Sequence, residues 1–99
     1  MTLTPPRKFT EWKVISNGQL SVGTVATAID GVWTNPSLIT IHNNDNTDAV
    51  FLGGTGVTTT TGLYLNKEES YQFQLQPLEQ VYCVSTKNGH TVSWMRQTI

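Results

Sequence analysis

The residues of this chain that could do acid–base or nucleophilic chemistry are few. Hydrolysis by a Ser-His-Asp arrangement needs a nucleophile on a shaped turn, a histidine within reach and an orienting carboxylate. Nothing in the sequence resembles such a nucleophile turn, and most carboxylates fall in polar turns, where solvated charges are usual. We therefore predict no catalytic residues and no enzymatic activity from the available set, which is His42, His90, Glu11, Asp30, Asp45, Asp48, Glu68, Glu69 and Glu79.

The segment NNDNTD, residues 43–48, is the best candidate for a metal site. Asn44, Asn46 and Asp48 stand at alternate positions, like the first ligands of a calcium loop. The rest of that pattern is missing, because Ala49 replaces the expected glycine and Thr55 replaces the bidentate glutamate. Since Asx-rich loops are commonly hydrogen-bonded turns, we predict that no metal is bound.

Two further features have a structural interpretation. The glycines of Gly53–Gly56 lack the Lys-Ser/Thr pair and the following helix of a phosphate-binding loop, so they predict a strand junction and no cofactor. Cys83 is the single cysteine, and it lies in an apolar run without a base or cation beside it. This context predicts a small buried side chain and not a reactive thiol.

Aromatic residues are numerous for a short chain, and some of them are expected at the surface. Exposed tryptophan and tyrosine side chains can anchor a protein interface or stack on a sugar ring. Sugar sites usually place Asp or Arg beside the ring, and only Arg96 near Trp94 offers this arrangement, so a protein interface is preferred. The aromatics considered are Trp12, Trp33, Trp94, Phe51, Tyr64 and Tyr82.

Alternating apolar and polar residues run through most of the chain, and no stretch has a helical period. The clearest case is Tyr71, Phe73 and Leu75, which alternate with glutamines. Asn17-Gly18 predicts a hairpin turn between strands at 9–16 and 19–28, and Asn88-Gly89 predicts a second turn. About eight short strands at this spacing predict an all-β fold, a small antiparallel sandwich or barrel of jelly-roll type.

Composition limits the function classes. With 99 residues, 13% of them charged, and a formal net charge of −1, the chain predicts one small domain without the basic face that nucleic acids require. No apolar run has the length of a transmembrane helix, and no hydrophobic segment of the signal-peptide kind follows the first residues. We therefore expect no membrane partner and no nucleic-acid partner.

The first eight residues, MTLTPPRK, have no periodicity, and Pro5-Pro6 favours an extended conformation. We predict an extended N-terminal arm at residues 1–8 and a single sandwich domain at residues 9–99. The arm carries two cations that could meet an acidic partner. The candidate interface residues are Thr2, Pro5, Pro6, Arg7, Lys8, Phe9, Trp12 and Trp33.

The run IHNNDNTDAVFLGGTGVTTTTGLYLNKEESYQFQLQPLEQVYCVSTKNGHTVSWMRQT resembles small β-sandwich virion proteins of tailed bacteriophages. The resemblance rests on a strand ending in Asn, an aromatic-apolar-Gly-Gly stretch, a Gly-Val-Thr-Thr-x-x-Gly turn, a Leu-x-Leu pair and an apolar-Tyr-x-Val-Ser segment. These motifs are structural, and they cover residues 38–98. Residues 1–36 match no pattern of this kind.

The resemblance implies a non-enzymatic capsid decoration protein that binds and stabilises the phage head. Its partners would be the major capsid protein and copies of itself, as in a homotrimer, within a virion assembled from proteins made in the host cytoplasm. The alternative is a module of the tail, fibre or neck that binds another virion protein or a host glycan.

Overall fold

The computed structural model describes residues 14–99, which form eight β-strands in two four-stranded antiparallel sheets. The strands are β1 (Ile15–Val22), β2 (Thr27–Ala28), β3 (Ser37–Asn43), β4 (Val50–Gly53), β5 (Leu63–Leu65), β6 (Ser70–Leu75), β7 (Tyr82–Ser85) and β8 (His90–Thr98). Sheet A has the order β1-β8-β3-β6, and sheet B has the order β2-β7-β4-β5. The predicted all-β sandwich is confirmed. The predicted arm and candidate residues Thr2 to Trp12 lie outside the described residues.

The core lies between the two sheets and follows from the alternation in each strand. On β3, Ile39 and Ile41 point inward and are almost fully buried. Val50 and Leu52 of β4 do the same from sheet B. Cys83 of β7 belongs to this core, and burial raises the pKa of its thiol to about 12. The prediction of a small, buried cysteine is therefore confirmed, and the raised pKa disfavours the thiolate that a reactive cysteine needs.

The predicted hairpin turn at Asn17-Gly18 is wrong. Strand β1 continues through both residues, which pair with Met95 and Trp94 of β8. A Cβ atom on Gly18 would lie 3.1 Å from the Trp94 ring atoms Nε1, Cε2 and Cζ2. The glycine therefore makes room for the indole on the inner face of the sheet, which is a packing requirement that the Asn-Gly dipeptide does not reveal.

A glycine-rich corner connects β4 to β5. A Cβ on Gly53 would lie 2.8 Å from Val57 Cγ2, and one on Gly62 would lie 2.7 Å from Phe51 Cβ. Gly54 and Gly56, at the tip of the corner, have open space around them. The threonines that follow form a turn in which Thr58 bonds to Thr60 and Thr61. The predicted strand junction is thus confirmed at this position.

Strand β8 spans the length of the sandwich and carries a buried base near each end, His90 and Arg96. Around His90 lie the β3–β4 loop (residues 44–49) and the β7–β8 loop (residues 86–89), and we call this region the His90 end. Around Arg96 lie the β2–β3 loop (residues 29–36) and the β6–β7 loop (residues 76–81), and we call this region the Arg96 end. Among residues 14–99, no helix is long and apolar enough to cross a membrane.

Candidate functional site

Arg96 is the centre of the Arg96 end. Its side chain is 1% exposed, although it carries a formal charge. Nε donates to Ser37 Oγ at 2.8 Å, Nη1 donates to the carbonyl of Gly31 at 3.0 Å, and Nη2 donates to that of Glu79 at 3.3 Å. Burial lowers the pKa of the guanidinium, and Asp30 opposes this shift. Arg96 therefore ties the β2–β3 loop and the β6–β7 loop to the end of sheet A.

Trp33 is the one candidate interface residue that the structure describes. The guanidinium of Arg96 lies 4.7 Å from its ring centroid, and its indole N–H donates to Asp30 Oδ2 at 2.8 Å. Arg96 was predicted to flank Trp94; its cationic contact is with Trp33 instead, while Trp94 packs against the core. The contribution of Trp33 to an interface stays a prediction, because the ring is half-buried and already has these contacts.

The turn beside Trp33 holds a leucine in an unusual conformation. Leu78 has φ of 70°, follows Pro77, and lies within a turn closed by the Glu79 N–H donating to the Gln76 carbonyl at 3.2 Å. These are the features of a type II turn, whose third position normally takes glycine. The Leu78 N–H also donates to the Trp33 carbonyl at 2.8 Å. The side chain is 65% exposed, so no burial offsets the left-handed backbone.

Other large apolar side chains are exposed at the same end. Val14 accepts a backbone hydrogen bond from Thr98, and Ile99 donates one to Pro36, so both lie where β8 ends. Val32 adjoins Trp33 in the β2–β3 loop. All three are more than half exposed, as is Leu78. The Arg96 end therefore presents apolar side chains to solvent around a rigid polar centre, which is a feature of protein-binding surfaces.

Both edges of sheet A are formed by strands without charge. Among residues 14–99, no strand pairs with the outer side of β1 or of β6. Neither ISNGQLSV (β1) nor SYQFQL (β6) contains a charged residue or a proline. Natural proteins usually protect such edges with lysine, proline, bulges or a covering element. As far as the described part of the chain goes, these two edges therefore lack the protection that is usual in natural sheets.

The His90 end has a different polar cluster, built on Asn43. The Asn43 side-chain amide donates to the carbonyls of Asp48 (2.9 Å), Leu65 (3.1 Å) and Asn66 (3.1 Å). Its Oδ1 accepts from the Asp45 N–H at 3.0 Å and faces His90 Nε2 at 2.7 Å. The other ring nitrogen of His90 lies 3.0 Å from Ser85 Oγ. Burial lowers the pKa of His90.

This Ser-His-Asn row has the residue types of a hydrolase site but not the access. His90 is 0% exposed and Ser85 is 1% exposed, so no substrate can reach the hydroxyl in this conformation. The sequence did not show the row, because Asn43 and His90 are 47 positions apart. Ser85 and His90 flank the predicted Asn88-Gly89 turn, and this closeness in sequence was the one available signal. The turn is not a hairpin as predicted, because it joins β7 of sheet B to β8 of sheet A and the two strands do not pair.

Lys87 occupies the place that a cation would take beside the Asx-rich loop. Its Nζ lies 2.6 Å from Asp45 Oδ2 and 2.9 Å from Asp48 Oδ2. Asp45 Oδ1 also accepts from the backbone N–H of Thr47 and of Asp48. The Lys87 ammonium is the first cause that holds the pKa of both carboxyls below the ordinary range. Over residues 14–99, no group of three His, Cys, Asp or Glu side chains is placed to hold a metal.

The outer faces of the two sheets differ in chemistry. Sheet A presents hydroxyls, amides and a shallow depression of about 170 Å³ lined by Thr40, His42, Ser93, Trp94 and Met95. Sheet B presents Phe51 and Tyr64, whose rings meet edge to face at 5.6 Å, and Gly53 and its neighbours line a depression of about 360 Å³ near them. Neither depression brings a nucleophile together with a carboxylate.

Comparison with known proteins gives the fold and no family. No model of a known family matches the chain, and no curated protein matches its sequence. A solved structure from Bacillus endospore appendages, described as "a novel family of disulfide-linked pili", aligns over 98% of this chain and 99% of its own, with 15% identity and a TM-score of 0.50. At this identity the likeness shows a common β-sandwich fold.

Proposed function

We propose that this chain is a non-enzymatic structural subunit that works by associating with other protein chains. The observation that carries the proposal is the pair of uncharged edge strands of sheet A, β1 and β6, whose outer sides have no neighbouring strand within residues 14–99. A strand from another chain can continue the sheet there, because main-chain hydrogen bonds supply affinity and the alternate side chains supply specificity. The low net charge of −1 adds little repulsion between copies.

The specific form of this proposal follows the sequence resemblance to phage virion proteins. In that form the subunit decorates a capsid, binding the major capsid protein and its own copies, with a homotrimer as one arrangement. Many copies on a closed shell need only a modest affinity each, because binding is multivalent. The arm at residues 1–8 would contribute through Arg7 and Lys8, which suit an acidic shell surface.

The edge strands can be tested with a matched pair of substitutions. Gln74 of edge strand β6 and Gln97 of central strand β8 both pair with Leu38 on the outer face of sheet A. Gln74→Lys places a charge at the edge, and we expect association between chains to weaken about tenfold, or about 1.4 kcal/mol. Gln97→Lys adds the same charge beside it and should leave association nearly unchanged. Light scattering across a concentration series measures both.

Equal behaviour of the two lysine variants would remove the edge strands from the proposal. The capsid form has its own test, in which the protein lacking residues 1–8 is mixed with expanded empty capsids. Unchanged binding would exclude the arm, and an identical melting temperature of capsids with and without the full protein would exclude a stabilising role.

A second candidate is a tail, fibre or neck module that binds a glycan or another virion protein. The observation that favours a glycan is the hydroxyl-rich depression around Thr40, His42 and Ser93, with Met95 as an apolar wall. A glycan array with wild-type protein and His42→Ala tests it, and the absence of any bound glycan would exclude it. The solved structure of similar fold is described as belonging to disulfide-linked pili, whereas the single cysteine of this chain, Cys83, is buried, so we expect no disulfide between copies.

A further inference from the structure

The cluster at the His90 end joins the two sheets through side chains. His90 belongs to β8 and Asn43 to β3, both in sheet A, while Ser85 belongs to β7 in sheet B. The Asn43 amide also reaches the carbonyls at the end of β5 in sheet B and the β3–β4 loop. A change at His90 is therefore felt by both sheets and by the loops that cover this end.

The hydrogen-bond pattern fixes the tautomer of His90. Because Nδ2 of Asn43 faces three carbonyl oxygens, which only accept, its Oδ1 must be the atom that faces His90. Oδ1 accepts, so His90 Nε2 carries the proton and donates to it at 2.7 Å. Nδ1 is then a bare acceptor for the Ser85 hydroxyl, whose oxygen in turn accepts the Lys87 N–H. His90 is neutral in this arrangement.

A second proton on His90 would change this arrangement. It would sit on Nδ1 and point at Ser85 Oγ, so the hydroxyl would have to reverse its hydrogen bond. The charged groups facing the ring are Asp45 and Asp48 from the β3–β4 loop and Lys87 from the β7–β8 loop; Val22, its partner on β1, is apolar. Asp45 Oδ2 is 4.0 Å from Nδ1 but already holds Lys87 at 2.6 Å.

We propose that Asn43, His90 and Ser85 form an acid-sensitive latch, in which protonation of His90 draws Asp45 away from Lys87 and releases the β3–β4 and β7–β8 loops. Asp45 is the anchor of the first loop, since it accepts from the N–H groups of Thr47 and Asp48. Lys87 fixes the second loop to it. The buried cation and Lys87 would compete for Asp45 Oδ2, so Lys87 would keep only Asp48 as its carboxylate partner and the loops would lose one of the two ion pairs that join them. Arg96 keeps its charge over this pH range, so the opposite end does not respond.

The experiment compares wild-type protein with His90→Gln and His42→Gln between pH 7.5 and 4.5. Glutamine keeps a donor for Asn43 and cannot titrate, and His42 is the half-exposed histidine on the outer face of sheet A. Hydrogen exchange measures protection of the amides at residues 44–49 and 86–89. We expect protection in wild type and His42→Gln to fall at least about tenfold on acidification, and no such fall in His90→Gln.

Two results would overturn the latch. One is an acid response of His90→Gln that equals that of wild type. The other comes from wild type alone, and covers the case in which the glutamine variant does not fold. Nitrogen NMR of the histidine rings should show the Nε2–H tautomer at pH 7.5, and the loop resonances should titrate with the midpoint of His90. An Nδ1–H tautomer, or loops that do not follow His90, excludes the proposal.

Discussion

The two ends of the sandwich both bury a basic side chain, but they differ in whether that side chain is charged. Each end buries one base of β8, and every buried nitrogen of the two side chains has a hydrogen-bond partner. At one end Arg96 stays charged, held by carbonyls, a hydroxyl, the Trp33 ring and Asp30. At the other end His90 is neutral, and the charge lies outside it in the Lys87 pair with Asp45 and Asp48. Arginine keeps its charge at any ordinary pH, whereas a neutral histidine can take up a proton as the pH falls.

Among the substitutions that test this difference between the two ends, we expect the largest effect from removing the charge of Arg96. Arg96→Met keeps a long apolar side chain but removes the cation beside Asp30 and the donor to Ser37 and the two loop carbonyls. We expect the free energy of unfolding to fall by about 3 kcal/mol, as for loss of one member of a buried pair. Urea denaturation measures it. Met95→Gln, one residue away on the outer face, should change stability by less than about 0.5 kcal/mol, and a similar loss in both would contradict the assignment.

At the His90 end the largest effect is expected at Asn43. Asn43→Ala leaves three carbonyls and the donors of Asp45 and His90 unsatisfied in a buried site. We expect a loss of about 2 kcal/mol, smaller than at Arg96 because no charge is left alone. Asn44→Ala removes a single side-chain bond to Ser93 and is the control, with an expected loss of about 0.5 kcal/mol. The comparison would fail if Asn43→Ala were no worse than Asn44→Ala in a urea titration.

The ion pairs of Lys87 with Asp45 and Asp48 should make the stability of the His90 end depend on pH. Asp45 has a lowered pKa, so its stabilising contribution is complete above the ordinary aspartate pKa of about 3.9 and is lost as pH falls below it. Lys87 has a raised pKa, so its contribution is lost only in strong alkali. Lys87→Met should therefore lower stability at pH 7 and make its dependence on pH below 4 flatter. Lys67→Met, in the exposed β5–β6 turn, should retain the wild-type profile in thermal melts.

His90 also makes the free energy of unfolding fall in acid, but for a different reason from Asp45: its neutral form, and not its charged form, is favoured in the folded state. The folded state lowers the pKa of His90, while the unfolded chain takes up a proton near pH 6.5. The unfolded state therefore binds more protons below that pH, and the free energy of unfolding falls as pH decreases towards the folded pKa. This sign agrees with a latch that opens in acid.

The smallest expected effect concerns the turn at the Arg96 end. Leu78→Gly removes the cost of a left-handed leucine, so thermal stability should rise slightly, by about 0.5 kcal/mol. Leu63→Gly, in β5 with ordinary dihedral angles, should lower stability and serves as the control. If Leu78 is an interface anchor, the glycine variant will associate less strongly while melting at a higher temperature. A variant that is both less stable and fully associated would refute that interpretation.

The fold could be predicted because it depends on local alternation, as in Tyr71, Phe73 and Leu75. The polar clusters could not, because they join residues distant in sequence, such as Asn43 and His90. Arg96 shows the limit most clearly, because its proximity in sequence suggested Trp94 as its aromatic partner. The two side chains share the inner face of β8, but the Trp94 ring packs over Gly18 whereas Arg96 reaches the β2–β3 loop, which brings Trp33 to it. The turn predicted at Asn17-Gly18 was wrong because Gly18 lies within β1, where it leaves space for the Trp94 ring.

The glycine-rich corner between β4 and β5 has a consequence for engineering. Gly53 and Gly62 form a tight base that accepts no side chain, while Gly54 and Gly56 stand free at the tip. A foreign peptide inserted between Thr55 and Gly56 would be carried on a rigid pedestal, with both sheets left intact beneath it, because exposed loop tips accept insertions well. In any assembly built from many copies, this corner is where each copy could display a tag or an epitope.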